Sequence, residues 1–189
     1  VSHGILSSMT AGPMRFVEPN VVCSQFHLRT GDTVGDFGAG RGYFMVPLAA
    51  AVGVEGTVYS FEIQKNLVEA MGEQVRQENL DNVRAIWADI EEPNGTTLDA
   101  SVLDAAVMVN TLFQFETKAD ALKEVARVLR PGGKLFVIDW SESFGNLGPE
   151  PNAVVSKSQA RALVEEAGFV FERSYPAGDH HYGLAFRKP

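Results

Sequence analysis

The stretch VGDFGAGRGYF, residues 34–44, constrains this chain more than any other. A short apolar run leads through Asp36 to glycines at 38, 40 and 42, and Tyr43 and Phe44 open a segment of helical character. Strand, tight turn and helix follow in that order. Glycine lacks a Cβ, so it admits left-handed backbone angles and lets main chain approach a bound molecule. The free N–H groups of a helix start add a preference for polar or anionic groups. The unit is a cradle for a small molecule.

Beyond the cradle, apolar β-branched runs alternate with segments of helical periodicity, the pattern of an α/β domain. A leading helix is expected over Glu18–Leu28, with Pro19 near its start. Strands are expected at Thr33–Phe37, Thr57–Phe61, Val83–Ala88, Ser101–Val109 and Lys134–Trp140. Helices over Gly42–Val52, Lys65–Asn79 and Thr117–Leu129 separate them, the last stopped by Pro131-Gly132-Gly133. Ser156 and Gln159 have the spacing of a capping box, Gly168 closes the helix they start, and Phe169–Tyr175 with Tyr182–Arg187 form a hairpin.

At 189 residues, 45% of them hydrophobic, the chain is sized for one well-cored domain over 1–189. A net charge of -8 disfavours nucleic acid and anionic lipid as partners and leaves small molecules favoured. No segment has the length or apolarity for membrane insertion. Cys23, the single cysteine, permits no internal disulfide and no cysteine-based zinc cluster; a reducing, cytoplasmic setting fits, and no metal is expected.

Strands joined through helices run parallel, and open α/β sheets bind ligands at the carboxyl edge of their strands. The site is therefore expected just after each strand: Asp36 to Gly42, Glu62, Asp89, Asn110, Asp139 to Phe144, and the hairpin loop Gly178 to His181. A dinucleotide fingerprint beginning at Gly38 requires glycine at 43, where Tyr43 stands. Glu62 is placed to accept hydrogen bonds from ribose hydroxyls, which NAD and S-adenosylmethionine share.

Together, VGDFGAGRGYF, VYSFE, WADI, LDAAVMVNTLFQF and VLRPGGKLFVIDW resemble the class I S-adenosylmethionine-dependent methyltransferases, particularly their small-molecule, ubiquinone/menaquinone-biosynthesis-like (type 11) branch. The resemblance covers most of the chain. It implies a Rossmann-like, mostly parallel seven-stranded sheet of order 3-2-1-4-5-7-6, strand seven antiparallel, with helices on both faces. It implies S-adenosylmethionine as cofactor: Gly38 and Gly40 along its methionine portion, Asp36 near its amino group, Glu62 at the ribose, Asp89 and Ile90 at the adenine, Asn110 facing donor and substrate, and Ala39 and Ile63 as further cofactor contacts. The activity implied is in-line methyl transfer to a small-molecule acceptor. A catalytically silent donor-binding module and an NAD-dependent oxidoreductase are the alternatives.

Loss of the sulfonium charge during transfer suits a dry, aromatic-lined pocket, and Phe113, Phe115, Trp140 and Phe144 fall on the right loops. The N-terminal tail and helix, residues 1–30 with His3, are expected over the site, and residues 141–155 on its substrate side. In GDHHYG, His180 or His181 is a candidate base, oriented by Asp179, Asp139 or Glu142.

Overall fold

A computed structural model describes residues 16–145 and 147–189; the tail of residues 1–15, His3 included, lies outside the described residues. Seven strands, β1 (Thr33–Phe37), β2 (Thr57–Glu62), β3 (Val83–Trp87), β4 (Leu103–Val109), β5 (Leu129–Trp140), β6 (Val170–Pro176) and β7 (His181–Arg187), form one sheet. Its order is β3-β2-β1-β4-β5-β7-β6, with β7 antiparallel to both neighbours and the other pairings parallel. This is the topology expected from the sequence.

Strand alternation feeds two apolar layers. On one face α1 (Pro19–Ser24), α2 (Met45–Val52) and α3 (Lys65–Gln77) pack against Val34, Val58, Val107 and Ile138. On the other, α4 (Lys118–Val128) and α5 (Lys157–Glu166) cover Phe37, Phe61, Met108, Leu135 and Phe186. Each such side chain removed from water contributes about 1.5–3 kcal/mol before chain entropy is counted. Ser156 and Gln159 form the expected capping box at the start of α5.

Three boundaries depart from expectation by three residues or more, each for a local reason. The leading helix stops at Ser24 rather than Leu28, because Phe26 turns in to stack on Phe136 at 4.5 Å and His27 takes φ +50°. The helix after the glycine turn starts at Met45 rather than Gly42, whose φ of +77° is incompatible with an α-helix. Pro131-Gly132-Gly133 does not separate α4 from a strand at Lys134. Leu129 already pairs with Leu103, the register shifts before Lys134 meets Ala105, and Gly132 and Gly133 bond Lys188 at the end of β7.

Candidate functional site

The glycine turn closes on itself. Gly38 and Ala39 N–H groups donate to the Phe61 carbonyl at 3.0 and 2.9 Å, Gly42 N–H donates to Ala39, and Gly40 N–H donates to Glu62 Oε2 at 3.0 Å. The main-chain donors of Gly38, Ala39, Gly40 and Gly42 are thus engaged within the protein. What the turn offers is room: a Cβ on Gly40 would meet nothing within 4 Å.

Two carboxylates flank that room. Glu62 is buried at the end of β2, and its Oε1 accepts the Gln64 N–H at 2.9 Å. Asp36 is 2% exposed, and its Oδ2 has no hydrogen-bond partner among the described residues. Burial, and then the nearby Glu62 charge, pushes the Asp36 carboxyl up to about 7. Neither carboxylate is ion-paired among the described residues, although Arg41 lines the same cavity as Asp36.

A cavity of about 340 Å³ lies on the β2–β3 side, lined by Glu62, Ile63, Asp89, Ile90 and Phe115. A second, of about 410 Å³, lies under the N-terminal segment and is lined by Val17, Asp36, Ala39, Tyr43 and Asn110. Gly38, Gly40 and Gln114 line both. All nine residues expected to hold a cofactor therefore line one trench crossing the carboxyl edge. Thr111 and Gln114 were not anticipated. Thr111 packs where a Cβ on Gly38 would sit, and Gln114 Nε2 donates to the Asn110 carbonyl at 2.6 Å. Only the motif LDAAVMVNTLFQF pointed to that turn, and it carries no pattern that singles them out.

Beyond Asn110 an aromatic end follows. Trp140 and His181 face each other across the β5–β7 pairing with ring centroids 4.2 Å apart, and Phe144 stacks on His180 at 3.9 Å. Phe16 lies within 6.4 Å of Trp140, Phe144 and His180, bringing the N-terminal segment over this end. Glu142 is the acid beside His180, 2.7 Å from Nδ1. Asp139 instead accepts N–H bonds from Phe113 and Trp140, and burial raises its pKa to about 6 against their pull. Phe113 stands apart from the aromatic end, lining a separate groove with Val155 and Leu163.

A family model described as a methyltransferase domain matches residues 28–168, three quarters of the chain. This chain belongs to the methyltransferase-domain family. A S-adenosylmethionine-dependent methyltransferase from Aquifex aeolicus superposes with TM-score 0.85 at 28% identity, covering 92% of this chain and 91% of that one. The ubiquinone/menaquinone biosynthesis C-methyltransferase of Chromobacterium violaceum is 25% identical over 147 residues, 78% of this chain and 59% of that protein. The 2-phytyl-1,4-naphthoquinone methyltransferase of Nostoc punctiforme is 30% identical over 112 residues, 59% of this chain and 48% of that protein. The methyltransferase chain thus spans about half to three fifths of the length of these curated relatives. Family and structural neighbours imply S-adenosylmethionine as the methyl donor. Among the described residues no helix is long and apolar enough to cross a membrane.

Proposed function

We propose that this domain transfers the methyl group of S-adenosylmethionine to a small-molecule acceptor at the carboxyl edge of its sheet. The observation that carries this is the buried Asp36 oxygen, unpartnered among the described residues, lining a trench where the Gly38, Ala39 and Gly40 N–H groups are already engaged. Such a site asks for a cation. The donor's α-ammonium fits Asp36, and its sulfonium suits the same electronegative end. Glu62 keeps acceptor capacity after its two N–H bonds and would grip the ribose hydroxyls. Asp89 would accept from the adenine amino group, Ile63 and Ile90 would flank the ring, Gly38, Ala39 and Gly40 would line the methionine portion, and Asn110 would face the methyl end.

When bound, the donor supplies an electrophilic methyl group on a positively charged sulfur. The protein's part is alignment and exclusion of water. Orientation of two reactants contributes about 7–11 kcal/mol to reactions of this kind. Trp140, Phe144 and Phe16 would keep the reacting end dry, which favours a step that extinguishes charge. Relatives named for quinone biosynthesis make a quinone-derived ring the first acceptor class to try. A cytoplasmic location belongs with this assignment. A dinucleotide fits less well, since its pyrophosphate would meet the Asp36 and Glu62 carboxylates.

Calorimetry with S-adenosylmethionine and with NAD, followed by labelled methyl transfer to 1,4-dihydroxynaphthalene and to fractionated lysate, tests the assignment. Donor binding with label in a metabolite or lipid fraction supports it. Binding of NAD instead overturns it, and donor binding without label in any fraction leaves a silent binding module.

A further inference from the structure

We propose that His181 is the general base of the transfer and that the acceptor presents an ionisable hydroxyl group to its Nε2 atom. This rests on the donor assignment above and adds the chemical class of the acceptor.

The hairpin loop sets the tautomer. His181 Nδ1 lies 2.8 Å from the Asp179 carbonyl oxygen, which can only accept, so Nδ1 carries the proton and Nε2 carries the lone pair. That Nε2 is buried and has no hydrogen-bond partner among the described residues. Burial lowers the His181 pKa, with the Asp179 carbonyl opposing and His180 reinforcing the shift, so the ring is neutral at pH 7. A fixed, neutral imidazole with its basic nitrogen unengaged is the form a base must take.

Strand register then places it. In β7, Tyr182, Leu184 and Phe186 belong to the apolar layer under α4 and α5, so His181, Gly183 and Ala185 face the α1–α2 side. Asp36, flanked by Gly35 and Phe37 of the opposite layer, and Val109 face that side too. From β1 through β4 and β5 to β7, the same face therefore carries Asp36, Val109, Trp140 and His181 at its carboxyl edge. Asn110 Oδ1, just beyond β4, is also buried without a partner. An acceptor lying along this edge across the Trp140 ring would have the donor at its Asn110 end and His181 at the other.

His180 is built differently. Its Nδ1 donates to Glu142, its backbone takes φ +61°, and its ring stacks on Phe144, which makes it a wall of the aromatic end. Trp140 from β5 packs against His181, and two residues along the same face the Tyr175 ring of β6 covers Gly183, its phenol held neutral by burial. Asp139 faces the opposite layer.

The step balances without a further reactant. The acceptor hydroxyl gives its proton to Nε2, and the electron pair released, on oxygen or on a conjugated carbon, forms the bond to the methyl carbon. The carbon–sulfur pair stays on sulfur, which departs as a neutral thioether, and the imidazolium returns its proton to solvent.

His181→Asn keeps a donor for the Asp179 carbonyl and deletes Nε2; His181→Gln places an amide near the Nε2 position. Long-range ¹H–¹⁵N spectra of the wild type should show a protonated Nδ1 and bare Nε2 at pH 7. With S-adenosylhomocysteine bound, 4-nitrophenol should ionise about tenfold more readily on the wild type than on either variant, while calorimetry gives all three the same S-adenosylhomocysteine affinity. An Nε2–H tautomer, or equal 4-nitrophenol ionisation on proteins that bind S-adenosylhomocysteine, overturns the base. A wild type that binds no S-adenosylhomocysteine overturns the donor assignment, and this one with it.

Discussion

Glu62 Oε2 accepts the Gly40 N–H at 3.0 Å, tying the end of β2 to the residue where the two cavities meet. One side chain thus shapes the turn and presents a carboxylate to the trench. Glu62→Ala should weaken S-adenosylhomocysteine binding by about 1.5–3 kcal/mol, roughly ten- to hundredfold, through loss of charged hydrogen bonds to the ribose. Calorimetry reads this directly, and an unchanged affinity would remove Glu62 from the donor site.

The two glycines should respond differently to alanine. At Gly38, φ is +80° and the new Cβ would stand 2.3 Å from Thr111 Cγ2, so Gly38→Ala should cost about 2–4 kcal/mol of folding stability. Adding Thr111→Ala should recover part of that loss. At Gly40, φ is +56° in open space, and Gly40→Ala should cost about 1–2 kcal/mol. Its methyl group would enter the shared cavity, so donor affinity should fall more than stability. Urea unfolding and calorimetry on the same samples separate the two effects.

Strand order was legible through the family resemblance, and the nine residues expected at the cofactor line the trench because motif residues sit at strand ends along the carboxyl edge. What the sequence hid was set by contacts distant along the chain. The engagement of the turn N–H groups depends on the Phe61 carbonyl and Glu62, more than twenty residues away. Gln114 lines both cavities because of a short 3-10 turn with no periodic signal, and Phe113 beside it leaves the site for the α5 groove. The choice of Glu142 over Asp139 as partner of His180 followed from strand alternation, with Asp139 turned toward the Phe113 N–H.

Asp36 gives the apo protein a pH signature. Its folded pKa of about 7 lies above the ordinary carboxylate value, so its contribution to stability is complete below about pH 4 and is lost as pH rises to about 7. The full change is on the order of 4 kcal/mol. Asp36→Asn should flatten that part of the urea-unfolding profile and leave the smaller slope of Asp139, which has the same sign. Donor affinity should run the other way. The α-ammonium needs an ionised Asp36, so wild-type affinity should rise with pH through about 7, and Asp36→Asn should bind weakly with no such rise.

Glu124 on α4 anchors the loop that follows Asp89 and Ile90, the residues proposed to meet the adenine. Its carboxylate accepts from Asn94 N–H at 3.2 Å, from Thr96 N–H at 3.1 Å and from the Thr96 hydroxyl, and it pairs with Arg127 at 2.8 Å. Burial alone would raise its pKa, but the bonds from Arg127 and Thr96 outweigh that and hold it down at about 2. A depressed acid stabilises above its unfolded pKa and loses that contribution as pH falls through the folded one. Glu124→Gln should therefore be less stable than the wild type by about 1–3 kcal/mol at pH 7, and the gap should close between about pH 4 and 2. Donor affinity at pH 7 should fall modestly as the Asn94–Thr96 loop loosens beside the cavity. Unfolding curves that leave the gap constant down to pH 2 would mean that the carboxylate is not held ionised by this network.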